Sequence, residues 1–194
     1  MKTADTFGIK GHVRIEVRDR HGRLTDVPYD GENFIVNVGK QVVMDQLAQL
    51  FEPGRRTMRR MGLGDQGAIT GSPFTPKVPD ATWPARTALF HELGRKNIDI
   101  ITSPAPRAIR FMTAFLSSDF DPTSYSAAPK ICSEASLYLG NPADGGIILF
   151  QPNKAPPTVP PVTDVMFSTR TFKSVPFDPA DGVTVTVTWT IFIT

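Results

Sequence analysis

From Val183 to Thr194 the chain alternates between two kinds of side chain with almost no interruption. Val183, Val185, Val187, Trp189, Ile191 and Ile193 fall on one face of an extended backbone. Thr184, Thr186, Thr188, Thr190 and Thr194 fall on the other, and Phe192 alone breaks the pattern. A period of two built from β-branched and aromatic residues is the mark of a half-buried strand. At roughly 3.3 Å per residue it would reach about 40 Å, so it needs long neighbours to satisfy its backbone groups. The expected fold is therefore mainly β: a single antiparallel sandwich-like domain spanning 1–194, built against this last strand, with one packed α-helix and long loops.

Upstream, Val13, Ile15 and Val17 alternate with His12, Arg14, Glu16 and Arg18, and Asp19-Arg20-His21-Gly22 is a turn. With Arg23 to Val27 as the returning strand, residues 12–27 read as an added hairpin whose charged face either lies at a sheet edge or docks on an acidic partner. Residues 1–11 read as an N-terminal arm. After a short strand at Asn33 to Val38, Val43, Leu47, Leu50 and Phe51 take helical spacing from Gly39 until Pro53-Gly54. Beyond Gly67 a proline- and glycine-rich loop runs to Arg86, and Thr87 to Gly94 reads as a short helix capped by Thr87. Further strands are expected at Asn97–Thr102, Ala108–Leu116, Ile131–Leu139, Gly146–Gln151 and Val165–Phe172, with a polar loop from Ser117 to Lys130. Pro152 to Pro161 carries five prolines in ten positions, a stiff connector that cannot enter a sheet interior.

A chain of 194 residues buries a core without staples. Its 21 basic and 19 acidic side chains leave a net charge of +2, which gives no strong field toward nucleic acid or a membrane. One cysteine, Cys132, excludes an intrachain disulfide. No apolar run approaches the roughly 20 residues of a membrane-spanning helix, and Met1 to Gly11 lacks the apolar stretch of a signal peptide, so the expectation is a soluble product made in a cytoplasm.

Gly62-Leu-Gly64-Asp-Gln-Gly67 has the spacing of a dinucleotide-binding loop, but Ala-Ile-Thr-Gly-Ser-Pro follows where a helix N-terminus would have to receive the pyrophosphate. The run Arg55, Arg56, Arg59, Arg60 could grip phosphates, but it lacks the interleaved aromatics of single-strand binding and reads rather as a solvated face or a surface for an acidic protein partner. His91-Glu92 opens a zinc-helix pattern whose second histidine is replaced by Arg95. Cys132 sits in an alternating strand and reads as inert. The pairs Asp119/Asp121 and Asp178/Asp181 read as cation ligands or as backbone caps. Trp83, in a proline-rich loop, is either an anchor for another chain or a lid over its own core. No catalytic residue, cofactor or metal site is expected.

The succession of elements resembles a known plan. Asn33-x-Ile35-Val36-x-x-Gly39 leads into the helix, Met61-Gly62-Leu63-Gly64-Asp65 ends a strand, and Leu89-x-x-Glu92-Leu93-x-Arg95 follows the loop. Ile131-x-x-Glu134-Ala135-x-Leu137-Tyr138, then Gly146 to Phe150, then Val187 to Ile191 complete the order. This order resembles the N-terminal attachment domain of phage tail-collar and tail-fibre proteins. The resemblance covers about residues 33–194 and implies a non-enzymatic virion protein: a tail, collar or baseplate adaptor that assembles symmetrically with itself and docks other virion proteins. No fibre shaft follows Thr194, which implies the attachment module alone. A capsid decoration protein is the alternative, and a carbohydrate-binding module a more distant one. The expected contact residues are Arg14, Arg18, Arg55, Arg56, Arg59, Arg60, Trp83, Pro156 and Pro157, with the arm at residues 1–11.

Overall fold

The computed structural model describes residues 8–47, 57–69, 71–120, 122–125, 129–140 and 164–193. Along them run β1 (Ile9–Arg18), β2 (Leu24–Glu32), β3 (Phe34–Ile35), α1 (Asn37–Leu47), β4 (Thr57–Gly64), β5 (Ala68–Ile69) and β6 (Ser72–Pro76). β7 (Glu92–Asn97), β8 (Ile100–Ala105), β9 (Ala108–Leu116), β10 (Ile131–Gly140), β11 (Val165–Pro176) and β12 (Thr184–Ile193) follow. One sheet has the order β2-β1-β12-β9-β8 and a second the order β3-β11-β10-β4-β7; β5 and β6 form a small third. Every pairing is antiparallel, so the mainly β, sandwich-like expectation holds.

The last strand lies in the middle of its sheet, between β1 and β9. Its register lays Val13, Trp189 and Phe111 in one row across three strands, with Ile15, Val187 and Thr113 in the next and Val17, Val185 and Phe115 in the third. These nine side chains are buried and face Leu63, Leu137, Phe167 and Phe172 of the other sheet in one core cluster. Trp189 is fully buried, and burying a large apolar side chain of this kind contributes about 1.5–3 kcal/mol. β10 and β11 are buried on both faces: α1 and the β5–β6 hairpin pack on β11, and Leu89 packs with Tyr138 of β10.

Several expectations change in detail. Ile9, Lys10 and Gly11, read as arm, begin β1, and the charged hairpin is part of the first sheet: β1 pairs with β12 over ten residues and β2 takes the edge. The helix begins at Asn37, two residues before Gly39, and Gly39 lies against the backbone of Phe167. Thr87 to Gly94 is not a helix. Leu89 and Leu93 have helical spacing, but the N–H groups of Phe90 and His91 are taken by the carboxylate of Glu134, and the chain enters β7 at Glu92. Gly94 lies in that strand, where Phe120 fills the space a side chain would need. The single strand expected at Asn97–Thr102 is divided, since the chain leaves the second sheet at Asn97 and joins the first at Ile100. The loop after Gly67 contains the β5–β6 hairpin. The expected strand at 146–151 and the proline connector at 152–161 lie outside the described residues.

Candidate functional site

A group of charged residues on the second sheet is tied up in buried and part-buried ion pairs. Arg60, on β4, is fully buried and its Nη1 lies 2.5 Å from Asp164 Oδ1; the other carboxylate oxygen accepts from Arg95 Nη1 at 2.8 Å. Arg95 also donates to both oxygens of Glu92 at 2.8 and 2.7 Å, and Glu92 accepts the Tyr138 hydroxyl at 2.9 Å. The Arg95 guanidinium stacks 3.6 Å from the Tyr138 ring centre, and burial raises the Tyr138 phenol. A buried carboxylate held by two guanidiniums is a structural clamp, and leaves no free cation for a partner.

A second cluster surrounds Glu134 on β10. Its side chain is buried and accepts N–H groups from Phe90 and His91 at 2.9 Å each, with Arg86 Nη2 at 3.3 Å. Burial raises its carboxyl above the ordinary value, against these donors. Asp65, nearly buried, meets His91 Nδ1 at 2.7 Å and its N–H donates to the His91 carbonyl. Among the described residues no hydroxyl or thiol is bonded to that imidazole, so the pair supplies orientation without a nucleophile. Cys132 is fully buried and its thiol is pushed up by burial. The Gly62 to Gly67 sequence lies on β4 and the turn after it, with no helix N-terminus beside it. Among the described residues no group of three or more His, Cys, Asp or Glu is placed to hold a metal ion.

The contact residues expected from sequence fall in different places. Arg14 pairs with Glu16 at 2.9 Å and Asp30 at 2.6 Å, and Arg18 with Glu16 at 3.0 Å, so β1 and β2 share a neutralised ladder on the outer face. Arg60 is removed from any surface by burial, while Arg59 is partly buried. Arg55, Arg56, Pro156 and Pro157 lie outside the described residues. Trp83 is 1% exposed, not an exposed anchor: it makes edge contacts with Phe34 and Phe90, and the Arg86 guanidinium stands 4.9 Å from its ring centre. Between the two readings of Trp83, the structure shows the lid. Asp178 caps the turn after β11 by accepting the Ala180 N–H at 2.9 Å.

An apolar shelf, which no motif or charged residue type marks, lies at one end of the first sheet. The row that buries Phe111 and Trp189 continues outward along the same strand faces to Ile109, Ile191 and Ile193, beyond the cover of the second sheet. Ile109 and Ile193 are each 48% exposed, and Ile101, opposite Phe111 on β8, is 59% exposed. Ile109, Ile191 and Ile193, with Met58 on β4, border a cavity of about 320 Å³, with Arg107 at its rim. The signal was present in sequence, since Ile191 and Ile193 keep the alternation going past Trp189, but the point where the opposing sheet stops was not.

Comparison with known proteins adds nothing to this geometry: no family model, no curated protein and no solved structure matches the chain.

Proposed function

We propose that this chain is a non-enzymatic structural protein of a phage virion, an adaptor at the tail, collar or baseplate that joins copies of itself and other virion proteins. Two independent features support the reading. The order of sequence motifs from Asn33 to Ile191 resembles the attachment domain of tail-collar and tail-fibre proteins. The body is a two-sheet scaffold whose buried ionic groups are tied to one another, while an apolar shelf stays open at one end. The shelf carries the reading, because a contiguous exposed apolar patch rimmed by polar residues marks a docking surface. Trp83 and Arg60, both buried, have no part in that docking, which is assigned instead to Ile101, Ile109, Ile191 and Ile193. In a symmetric ring each weak contact is multiplied by the number of copies.

The test is the copy number of this chain in purified particles, counted by quantitative mass spectrometry against the major capsid protein. A small multiple of three or six supports the adaptor. Copies in the hundreds would indicate capsid decoration, and absence from particles would refute both.

A further inference from the structure

We propose that the free edge of β8, with the apolar cavity beside it and the Arg107 guanidinium at the rim, receives an extended segment of another virion protein that carries aliphatic side chains and a carboxylate. The inference deepens the adaptor reading and rests on it for the partner's being a virion protein.

The backbone supplies the first reason. β8 ends its sheet, all six of its residues are exposed, and among the described residues no strand pairs with its outer edge. Proteins commonly blunt such an edge with charge or proline. Here Ile100, Ile101, Thr102 and Ser103 carry no charge, and proline appears only at Pro104. An uncharged edge with a single proline near its end is suited to strand addition, where backbone bonds give affinity and alternate side chains give specificity. A second β8 is a poorer occupant than a foreign strand, because pairing two copies would bring a proline from each into a six-residue ladder and remove two donors.

The side chains supply the second. Ile101 stands opposite Phe111 in register, so every other side chain of an added strand would lie over the cavity bordered by Met58, Ile109, Ile191 and Ile193. At about 320 Å³ the space accepts aliphatic groups.

Charge supplies the third. Arg107 has φ +61°, the one non-glycine residue at positive φ among the described residues. An arginine sits there against backbone preference. Its carbonyl accepts the Ile193 N–H at 3.0 Å, which fixes the turn to the cavity wall. Among the described residues its guanidinium makes no ion pair or side-chain hydrogen bond. An arginine beside an apolar opening complements an aliphatic segment that carries a carboxylate.

The experiment uses the full chain and a short fluorescein-labelled peptide of alternating valine and threonine bearing one aspartate, with its asparagine counterpart as control. Binding is followed by fluorescence anisotropy. The aspartate peptide is expected to bind, and its affinity to fall about tenfold in Arg107→Gly and about tenfold on exchange to asparagine. Glycine suits the backbone at this turn, so Arg107→Gly keeps the fold. Ile101→Lys, at an exposed position, is expected to abolish binding. No binding, or equal binding of both peptides by the native chain and Arg107→Gly, overturns the proposal. So does self-association in sedimentation velocity that Ile101→Lys removes, which would give the edge to a second copy. In purified particles a photo-crosslinking residue at position 101 is expected to capture an acidic aliphatic segment of another virion protein, identified by mass spectrometry. A chain that is present in particles without that capture refutes this proposal and leaves the adaptor standing; absence from particles refutes the adaptor itself.

Discussion

Arg60 and Asp164 are 104 residues apart in the chain and meet at 2.5 Å with both side chains fully buried. The pair ties β4 to the residue before β11, and Asp164 also holds Arg95 at 2.8 Å. Removing one member of a buried pair leaves the other desolvated and uncompensated. Asp164→Ala is therefore expected to cost about 3–5 kcal/mol in urea unfolding, with little dependence on salt. A loss below about 1 kcal/mol, or one that salt abolishes, would mean that water reaches the pair.

Trp189 fills the middle of the first sheet with no exposed surface, yet its indole N–H has no partner among the described residues. Trp189→Ala should cost about 3–5 kcal/mol through the cavity it opens. Trp189→Phe should cost much less, because it keeps most of the apolar volume and removes a buried donor that is not satisfied. Unfolding curves showing the two variants equally destabilised would contradict the absence of a partner.

Gly39 is a position where two effects oppose each other. Alanine is better than glycine inside a helix by about 1 kcal/mol. A Cβ at this position, however, would lie 2.5 Å from the Phe167 carbonyl oxygen and 2.7 Å from its Cα, both backbone atoms of β11. Overpacking of this kind costs about 1–3 kcal/mol, so Gly39→Ala is expected to lower thermal stability. A rise in the midpoint would show that α1 moves freely over the sheet.

The acid response has contributions of both signs. Glu16 is held below its ordinary value of 4.5 by the hydrogen bond from Arg14, and further by Arg18. Its folded form binds a proton less readily than the unfolded chain does. The stability it contributes is present above pH 4.5 and is lost as the pH falls through its lowered folded value. Glu134 is raised by burial, so its contribution is present below its ordinary value and is lost as the pH rises through the folded one. Glu16→Gln should accordingly flatten the loss of stability below about pH 4.5, by no more than the roughly 1 kcal/mol of a surface pair. An unchanged acid limb would separate Glu16 from its arginines.

The elements that could be read from sequence were those whose signal is local and periodic. β9 has the bounds its alternation suggested, and the inward face of β12 is set by Val185, Val187 and Trp189 as their spacing required. Thr87 to Gly94 was misread because Glu134, more than 40 residues away in the chain, captures the backbone donors that a helix would have used. Arg60 was misread as a surface cation in the same way, since nothing near it in sequence announces Asp164. The shelf is half legible: isoleucines at alternating positions mark an inward face, but how far the opposing sheet extends depends on where β4 and β10 stop.

Hydrogen exchange in the free chain and in assembled particles tests the docking surface most directly. The buried strands β10 and β12 should exchange slowly in both states. The backbone of Ile100–Ala105 and the turn at Arg107 should be fast in the free chain and slow in the particle. Equal exchange of these residues in the two states would contradict the assignment of this end of the sheet as the surface through which the protein docks.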